Sequence, residues 1–396
     1  MTAERTDILI SGAGLAGMIL AALLARRGFH VTICDPSPPP ESAALEGSDL
    51  RSTAYLTPSR AVLEEAGLWD HLAPHATPLD ALRAMDSVGW PPRQTGTRTF
   101  RATDIALDSF GWNIPNWRAR KVLAETLEHD PSIDLRMGTG FASMVARDTE
   151  VLVRLESGAQ LRAKLLVGAD GRMSPVRDAA GIGVTTHRYG QKALAFAATH
   201  REPHRNISTE IYHSGGAFVT VPLPDEDGQP ASSIVWMNYG PRAIELSRME
   251  RKEFDTALTL RALSILGPMR RATDLRLWPI VTQTAERLTA RRVALVAEAA
   301  HVLPPIGAQG LNTSIADIAA LADAIAGGPG APATLQRYAA NRARDVRMRA
   351  GVIDVFNRLC RSGHPAVARM RVEGMKALYD SAPVRRRVMS AGLGGA

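Results

Sequence analysis

The chain has 396 residues, 45% of them hydrophobic and 22% charged, with a formal net charge of +7. These values exclude a disordered or fibrous chain and allow two closely connected domains. Two cysteines, Cys34 and Cys360, are too few for a disulfide framework and point to a reducing, cytoplasmic compartment. The chain enters its first strand without a basic-then-apolar leader. No run reaches the roughly 18 apolar residues of a membrane span.

Thr6–Ser11 reads as a strand, and Gly12-Ala13-Gly14-Leu15-Ala16-Gly17 opens an apolar helix that runs to Arg27 and is capped by Gly28. His30–Cys34 reads as a second strand, closed by Asp35. This is a dinucleotide fingerprint in full βαβ context. Gly12 permits the tight turn, Gly14 lets the backbone approach a pyrophosphate, and Gly17 lets helix and strand pack closely. Asp35, 18 residues past Gly17, stands where a carboxylate holds a ribose hydroxyl. A loop rich in Pro, Ser and Ala follows over residues 37–48, then Arg51 and a short helix closed by Gly67. Strands are expected over Leu82–Val88 and Thr97–Leu107, and a helix over Arg120–Leu127. Taken alone, Arg51 and Arg120 read as surface or ion-paired arginines.

Asp134–Met137, Ala142–Ala146, Val151–Leu155 and Gln160–Ala163 read as a small meander leading into the buried strand Leu165–Val167. Gly168-Ala-Asp170-Gly171 then turns the chain, and Ser174 suits the N-cap of a short helix. An Asp-Gly pair alone is an ordinary turn, but one that follows a buried strand points to the carboxyl edge of a sheet. Between Thr185 and Trp278 long alternating segments suggest an antiparallel sheet, followed by a helix over Arg251–Leu266. No nucleophile elbow and no cluster at metal-ligand spacing occurs there.

Val293–Val296 is a short β-branched run, followed by a turn with Pro304, Pro305, Gly307 and Gly310. A helix over Leu311–Ala326 ends at Gly327-Gly328. This second strand–turn–helix unit would aim the N–H groups of Gly310, Leu311 and Asn312 at a ligand. Such groups favour negative charge, by about 0.3–1 kcal/mol when exposed. Taken alone, the unit reads equally well as an ordinary βα connection. Beyond Gly330 the chain reads as helical to its end. Residues 331–396 carry twelve Arg and one Lys against four acids, a balance of +9, so the rest of the chain stands at −2. Val367, Met370, Gly374, Met375 and Leu378 lie at helical spacing. They fit either a helix packed on its own domain or a basic face resting on a membrane or a protein partner. No nucleic-acid motif and no basic–aromatic interleaving is present.

GAGLAG at 12–17 with Asp35, GADGRMSPVR at 168–177 and AEAAHVLPPIGAQGLN at 297–312 together resemble the three FAD motifs of the group A flavoprotein monooxygenases. Residues 51–69, the helix at Arg120, Asp317 and the basic C-terminal segment are similar to the ubiquinone-biosynthesis hydroxylases among them. Ala297, Glu298 and Ala308 stand where that family usually has Gly, Asp and Gly. The resemblance implies an α/β fold of the 4-hydroxybenzoate hydroxylase type. A discontinuous Rossmann-like FAD-binding domain would span 1–80, 110–182 and 280–330. An inserted substrate-binding β-sheet domain would span 81–109 and 183–279, with C-terminal helices over 331–396.

It implies FAD on Gly12–Gly17, Asp35, Arg51, Arg120, Asp170, Gly171 and Glu298. Pro305, Gly310, Leu311 and Asn312 would stand nearest the ring and are the nearest catalytic candidates, with no metal; the sequence shows no general base. NAD(P)H would reduce the flavin. Oxygen would add at C4a, and the hydroperoxide would hydroxylate a polyprenylated phenol. The tail of such a substrate needs an exit toward lipid. A cytoplasmic protein peripheral on the inner membrane face, or part of a quinone-biosynthesis complex, fits the basic C-terminal region. Two alternatives are a soluble hydroxylase of a small phenol and a non-catalytic flavoprotein subunit of such a complex.

Overall fold

A computed structural model of the chain describes residues 3–43, 45 and 48–393. Residues 44, 46 and 47 of the loop expected over 37–48, and the end of the C-terminal region at 394–396, lie outside them.

Five strands form a parallel sheet in the spatial order Val293–Leu295, Gln160–Gly168, Glu4–Ser11, Val31–Asp35, Ile133–Met137. Their central residues are apolar on both faces because both faces are covered. Ile8, Leu9 and Ile10 are wholly enclosed. The helix Leu15–Arg26 buries every residue from Ala16 to Ala25, which is why it carries no polar stripe. Asp134–Met137, expected in the meander, belongs instead to the parallel sheet beside Val31–Asp35. The helix Asn116–Leu127 supplies the crossover that a parallel partner needs. The antiparallel addition is therefore Phe141–Ala146 and Val151–Leu155, laid on Gln160–Gly168.

A second sheet is built mainly from the long antiparallel strands Val184–His200, Ile207–His213, Gly216–Glu226, Gln229–Tyr239 and Arg276–Ala285. Ala81–Val88 joins it in parallel with Ile207–His213 and carries Arg93–Arg101 at the edge. The strand expected over Thr97–Leu107 stops at Arg101. Asp104 accepts the Arg101 N–H at 3.4 Å and closes a single helical turn, Ala102–Ile105. The helix expected to reach Leu266 ends at Arg261, because Leu263 and Ser264 adopt left-handed φ of 54° and 53°.

The two faces of this sheet differ. One packs Phe196, Ile211, Phe218 and Trp236 under the helices Gly240–Arg248 and Arg251–Arg261. The other presents Tyr189, Tyr212, Val219 and Met237 to Ile306, Ile353 and Cys360.

The 30-residue helix Pro332–Arg361 spans about 45 Å at 1.5 Å per residue and so serves both sheets. Its first half docks on the parallel-sheet core through Leu335 and Tyr338, whose hydroxyl donates to the Leu295 carbonyl at 2.7 Å. Its second half docks on the second sheet through Ile353 and Cys360. The helix Pro365–Asp380 turns Ala368 and Arg371 inward, with Arg371 Nε 2.6 Å from Asp86. Met370 and Leu378 face outward at 57% and 44% exposure, so the apolar stripe expected there is split between core and surface.

Asp317 is fully enclosed on the helix Gln309–Ile325. His301 Nε2 lies 2.5 Å from one carboxylate oxygen and Arg342 Nε 2.7 Å from the other. Burial alone would raise its pKa, but His301 and Arg342 outweigh it and hold the carboxyl below its ordinary range. A depressed native pKa stabilises above the unfolded value, near 4, and the contribution disappears as pH falls through the native one. Asp317→Asn should cost about 3 kcal/mol at neutral pH, because it removes the buried charge that holds both His301 and Arg342, although Arg342 keeps Asp345 at 2.8 Å. It should also flatten the acid limb of stability. Denaturant titrations of both proteins from pH 3 to 7 measure both effects.

Candidate functional site

Parallel strands bring their carboxyl ends to one edge of the sheet, and that edge is where an α/β fold receives a ligand. Ser11, Asp35, Gly168 and Leu295 end there, so the three sequence motifs, some 300 residues apart, become neighbours. Gly12 leaves the first strand with φ 106°, and a Cβ on it would lie 2.4 Å from the Ala169 carbonyl. A Cβ on Gly17 would lie 1.9 Å from the Gly12 carbonyl, so the helix can approach the turn only without one. Around Gly14 a Cβ would meet nothing within 4 Å. Gly12 and Gly17 serve the protein's own packing, and Gly14 keeps a space clear.

Asp35 lies at the end of the second strand. One carboxylate oxygen accepts the Ala13 N–H at 2.8 Å, and the other accepts the Ser37 N–H at 2.9 Å and lies 3.3 Å from Arg120. Arg120 also donates to the Ala13 and Ser37 carbonyls, at 3.1 and 2.6 Å. The pair therefore fixes the turn from outside. Asp170 accepts from Ser11 Oγ at 3.3 Å and from the Val176 N–H at 3.1 Å through one oxygen, while its other oxygen is buried without a partner. Burial raises the Asp170 pKa, and the donors around its bonded oxygen, Val176 and Ser11 among them, oppose that rise.

Ser174 caps the short helix Pro175–Ala179 as expected, accepting the Arg177 N–H at 3.0 Å. Arg177, quoted above only as part of a motif, joins two motifs. Its buried guanidinium donates to the carbonyls of Arg172 at 3.0 Å and Ala299 at 3.2 Å.

Glu298 is exposed toward this edge, in the turn Ala297–Ala299. Arg51 pairs with Asp49 at 2.8 Å and stacks 4.6 Å from the ring centroid of Trp278, which belongs to the second sheet. Burial lowers the Arg51 pKa, but the charge of Asp49, aided by that of Glu298, raises it overall. Arg51 thus stands where the two sheets meet. Asp49 and Trp278 were not legible in the sequence, because their role comes only from being placed beside Arg51.

Ala297 and Ala308 take left-handed φ of 55° and 56°. That conformation explains the Gly implied at both positions, and it costs a residue with a Cβ about 1–2 kcal/mol at each. The helix Gln309–Ile325 begins directly after Ala308 with no side-chain cap, two residues earlier than its expected start. Gly310, Leu311 and Asn312 lie in its first turn, where backbone N–H groups lack helical partners. The Asn312 side chain is engaged in the fold. It accepts from the Leu56 N–H and Ser59 Oγ at 2.9 and 2.7 Å and donates to the Ala54 and Ala308 carbonyls at 2.7 and 2.6 Å. Only its backbone amide is left for a ligand. Pro305 is exposed in the preceding turn.

A clear space above Gly14, a buried carboxylate oxygen lacking a donor and an uncapped helix start suit a long, anionic, hydroxyl-bearing dinucleotide. The comparisons agree with that geometry. The family described as FAD binding domain matches residues 5–350, and the chain belongs to it. The chain is 31% identical to a ubiquinone hydroxylase, UbiL, of Rhodospirillum rubrum over 98% of its own length and 89% of that protein's. It is 27% identical to the 3-demethoxyubiquinol 3-hydroxylase of Escherichia coli over the full length of both. The crystal structure of p-nitrophenol 4-monooxygenase PnpA from Pseudomonas putida has the same fold. It superposes with a TM-score of 0.80 at 20% identity and 99% coverage of both chains.

Gly14→Ala should fold with unchanged stability, since its Cβ enters open space, yet weaken FAD binding at least tenfold. Gly17→Ala should lose several kcal/mol of stability, because its Cβ meets backbone. FAD titration and thermal unfolding of the two apoproteins separate these effects. Equal loss of stability in both would refute the assignment of the space above Gly14.

Proposed function

We propose that the chain is an FAD-dependent monooxygenase that hydroxylates the aromatic ring of a polyprenylated phenol in ubiquinone biosynthesis. The observation that carries the reading is an exposed apolar stripe on the long helix whose inner end, Phe356, packs on the face of the second sheet turned toward Ile306. Tyr212, on the face of the second sheet turned toward Ile306, packs edge-on against Phe356 at 5.5 Å between centroids. From Phe356 the stripe continues on the long helix through Met348, Val352 and Val355, each more than half exposed. A ring held near Pro305 would have a greasy path for its tail. The names of the full-length relatives point to the same substrate class.

In this reading residues 1–80, 110–182 and 280–330 form the FAD-binding unit, 81–109 and 183–279 the substrate sheet, and 331–396 the helical region. Gly12, Ala13, Gly14, Leu15, Ala16 and Gly17 would cradle the pyrophosphate, and Asp35 the adenosine ribose. Arg51, Arg120, Asp170, Gly171 and Glu298 would line the middle of the cofactor. Pro305 and the amides of Gly310, Leu311 and Asn312 would frame its ring, the helix start favouring negative charge there. Bound FAD supplies the activation of oxygen, with NAD(P)H as the electron donor. The chain positions the ring and excludes water.

Lipid extracts of a strain lacking this chain should accumulate a prenylated phenol one hydroxylation short of the quinone and contain less mature quinone. Mass spectrometry reads both. An unchanged quinone profile would overturn the reading of this protein as the sole enzyme for a ubiquinone step. If the purified protein hydroxylates only small phenols, or oxidises NAD(P)H without hydroxylating any phenol, the small-phenol hydroxylase or the non-catalytic subunit replaces it.

The exposed stripe also supports peripheral attachment to the inner face of the cytoplasmic membrane. Arg344 and Arg347 on the same helix, and Arg369, Lys376, Arg386 and Arg387 on the two that follow, are exposed. Arg342, Arg371 and Arg385 instead pair with Asp317, Asp86 and Asp104 outside this region, so less of the +9 is free than the sequence suggests. Co-sedimentation with vesicles containing anionic lipid should fall at least tenfold on Val352→Glu/Val355→Glu and decline with salt. Undiminished binding by the double variant would remove the stripe as the contact.

A further inference from the structure

Strand Ile207–His213 alternates its side chains between the two faces of the second sheet. Ile211 enters the core under the helices, whereas Tyr212 enters the cluster that meets Ile306. Glu210 shares the face of Tyr212. It is 6% exposed and lies opposite Ala84 and Val219 on the neighbouring strands, both members of that apolar cluster. A carboxylate in such a place is expensive, and folding alone would favour an apolar residue. Among the described residues no cation pairs with it.

Its two oxygens have separate partners. One accepts the Tyr212 hydroxyl at 2.8 Å, and the other accepts the Gly307 N–H at 3.3 Å. Gly307, with φ 61°, is the centre of the turn between Pro304 and Ala308. That turn sets where the helix Gln309–Ile325 begins, and hence where the amides of Gly310, Leu311 and Asn312 point. Glu210 is therefore the side chain through which the sheet on the substrate side grips the loop on the flavin side.

We propose that Glu210, held by Tyr212, is a positioning residue of the monooxygenase site, fixing the Pro304–Ala308 turn against the substrate sheet through the Gly307 amide. The proposal rests on the functional reading above for the identity of the ligands on either side. The ionised carboxylate grips the amide best, since a charged acceptor forms the stronger bond. Burial pushes the Glu210 carboxyl above its ordinary pKa, while Tyr212 and Gly307 oppose the rise. The other titratable groups facing this place are the Cys360 thiol on the long helix and Asp86 on the adjacent strand, with Arg371 bound to it. Burial raises the Cys360 thiol, and Asp86 is already paired. Among the described residues, Glu210 is the carboxyl of this place that no cation holds, whereas Asp86 is bound by Arg371. The grip loosens as pH falls through its raised pKa, and Tyr212→Phe, which removes a donor favouring the charged form, moves that transition to higher pH.

The test uses FAD-loaded wild type, Glu210→Gln and Tyr212→Phe, with two readouts. The first is the flavin absorbance between pH 4 and 9 with no phenol present. Wild type should show a spectral transition that Tyr212→Phe displaces upward and Glu210→Gln abolishes. The second is coupling, the hydroxylated product formed per NAD(P)H oxidised with a prenylated phenol. Glu210→Gln should lower coupling about tenfold while FAD content and the melting temperature stay near wild type. If Glu210→Gln matches wild type in both readouts, or if it simply sheds FAD, the positioning role is overturned. If wild type hydroxylates no prenylated phenol but the spectral difference persists, the functional reading falls and the role of Glu210 stands.

Discussion

Asp317 is enclosed, and three groups from two other parts of the chain converge on it: the Ala297 N–H at 3.4 Å and His301, both just after the last parallel strand, and Arg342 on the long C-terminal helix. An ionised carboxyl in so dry a place survives only while all its partners stay in position. The constraint therefore runs outward. Holding Ala297 and His301 shapes the turn that carries Glu298 to the ligand edge. Holding Arg342 fixes the long helix against the parallel sheet, and that helix in turn reaches the second sheet through Ile353 and Cys360. One buried charge thus sets the relation between the flavin edge and the wall that faces it.

The site itself is made mostly of backbone. In the proposed reading glycines, turn amides and an uncapped helix start would do the recognition, and Asp35 and Asp170 are tied to the turn after the first strand while Glu298 stays exposed. Asp35 is bonded to Ala13, Asp170 to Ser11, and Arg177 bridges Arg172 and Ala299. Such an arrangement suits chemistry supplied by a cofactor, where the protein must be rigid and dry rather than nucleophilic. It also explains how Ala297 and Ala308 can occupy left-handed positions. Several contacts over-determine both turns, and strain of this size persists where that is so.

The C-terminal region shows how charge read along a sequence differs from charge presented by a fold. Five of its arginines are drawn into ion pairs, two of them with the buried acids Asp317 and Asp86. Arg344 and Arg347 are exposed on the same helix as the apolar stripe, whose Phe356 packs against Tyr212. In the proposed reading, substrate entry and surface attachment would share one helix.

Local pattern determined much of this in advance. Apolar β-branched runs, glycines at the turn positions and Asp35 at its spacing dictated the βαβ unit, because those features act through backbone geometry over a few residues. The long alternating strands and the helix after Gly310 were legible for the same reason. Thr97–Leu107 and Arg251–Leu266 were read too long, since a capping carboxylate at Asp104 and two left-handed residues at Leu263 and Ser264 override propensity locally. The placement of Asp134–Met137 in the parallel sheet, the grip of Glu210 on Gly307, the stacking of Arg51 on Trp278 and the binding of Arg342 by Asp317 were decided only by tertiary structure. Each of the last three joins residues 25 to more than 200 positions apart, and hydrophobic periodicity says which face of an element is buried, not which partner it meets.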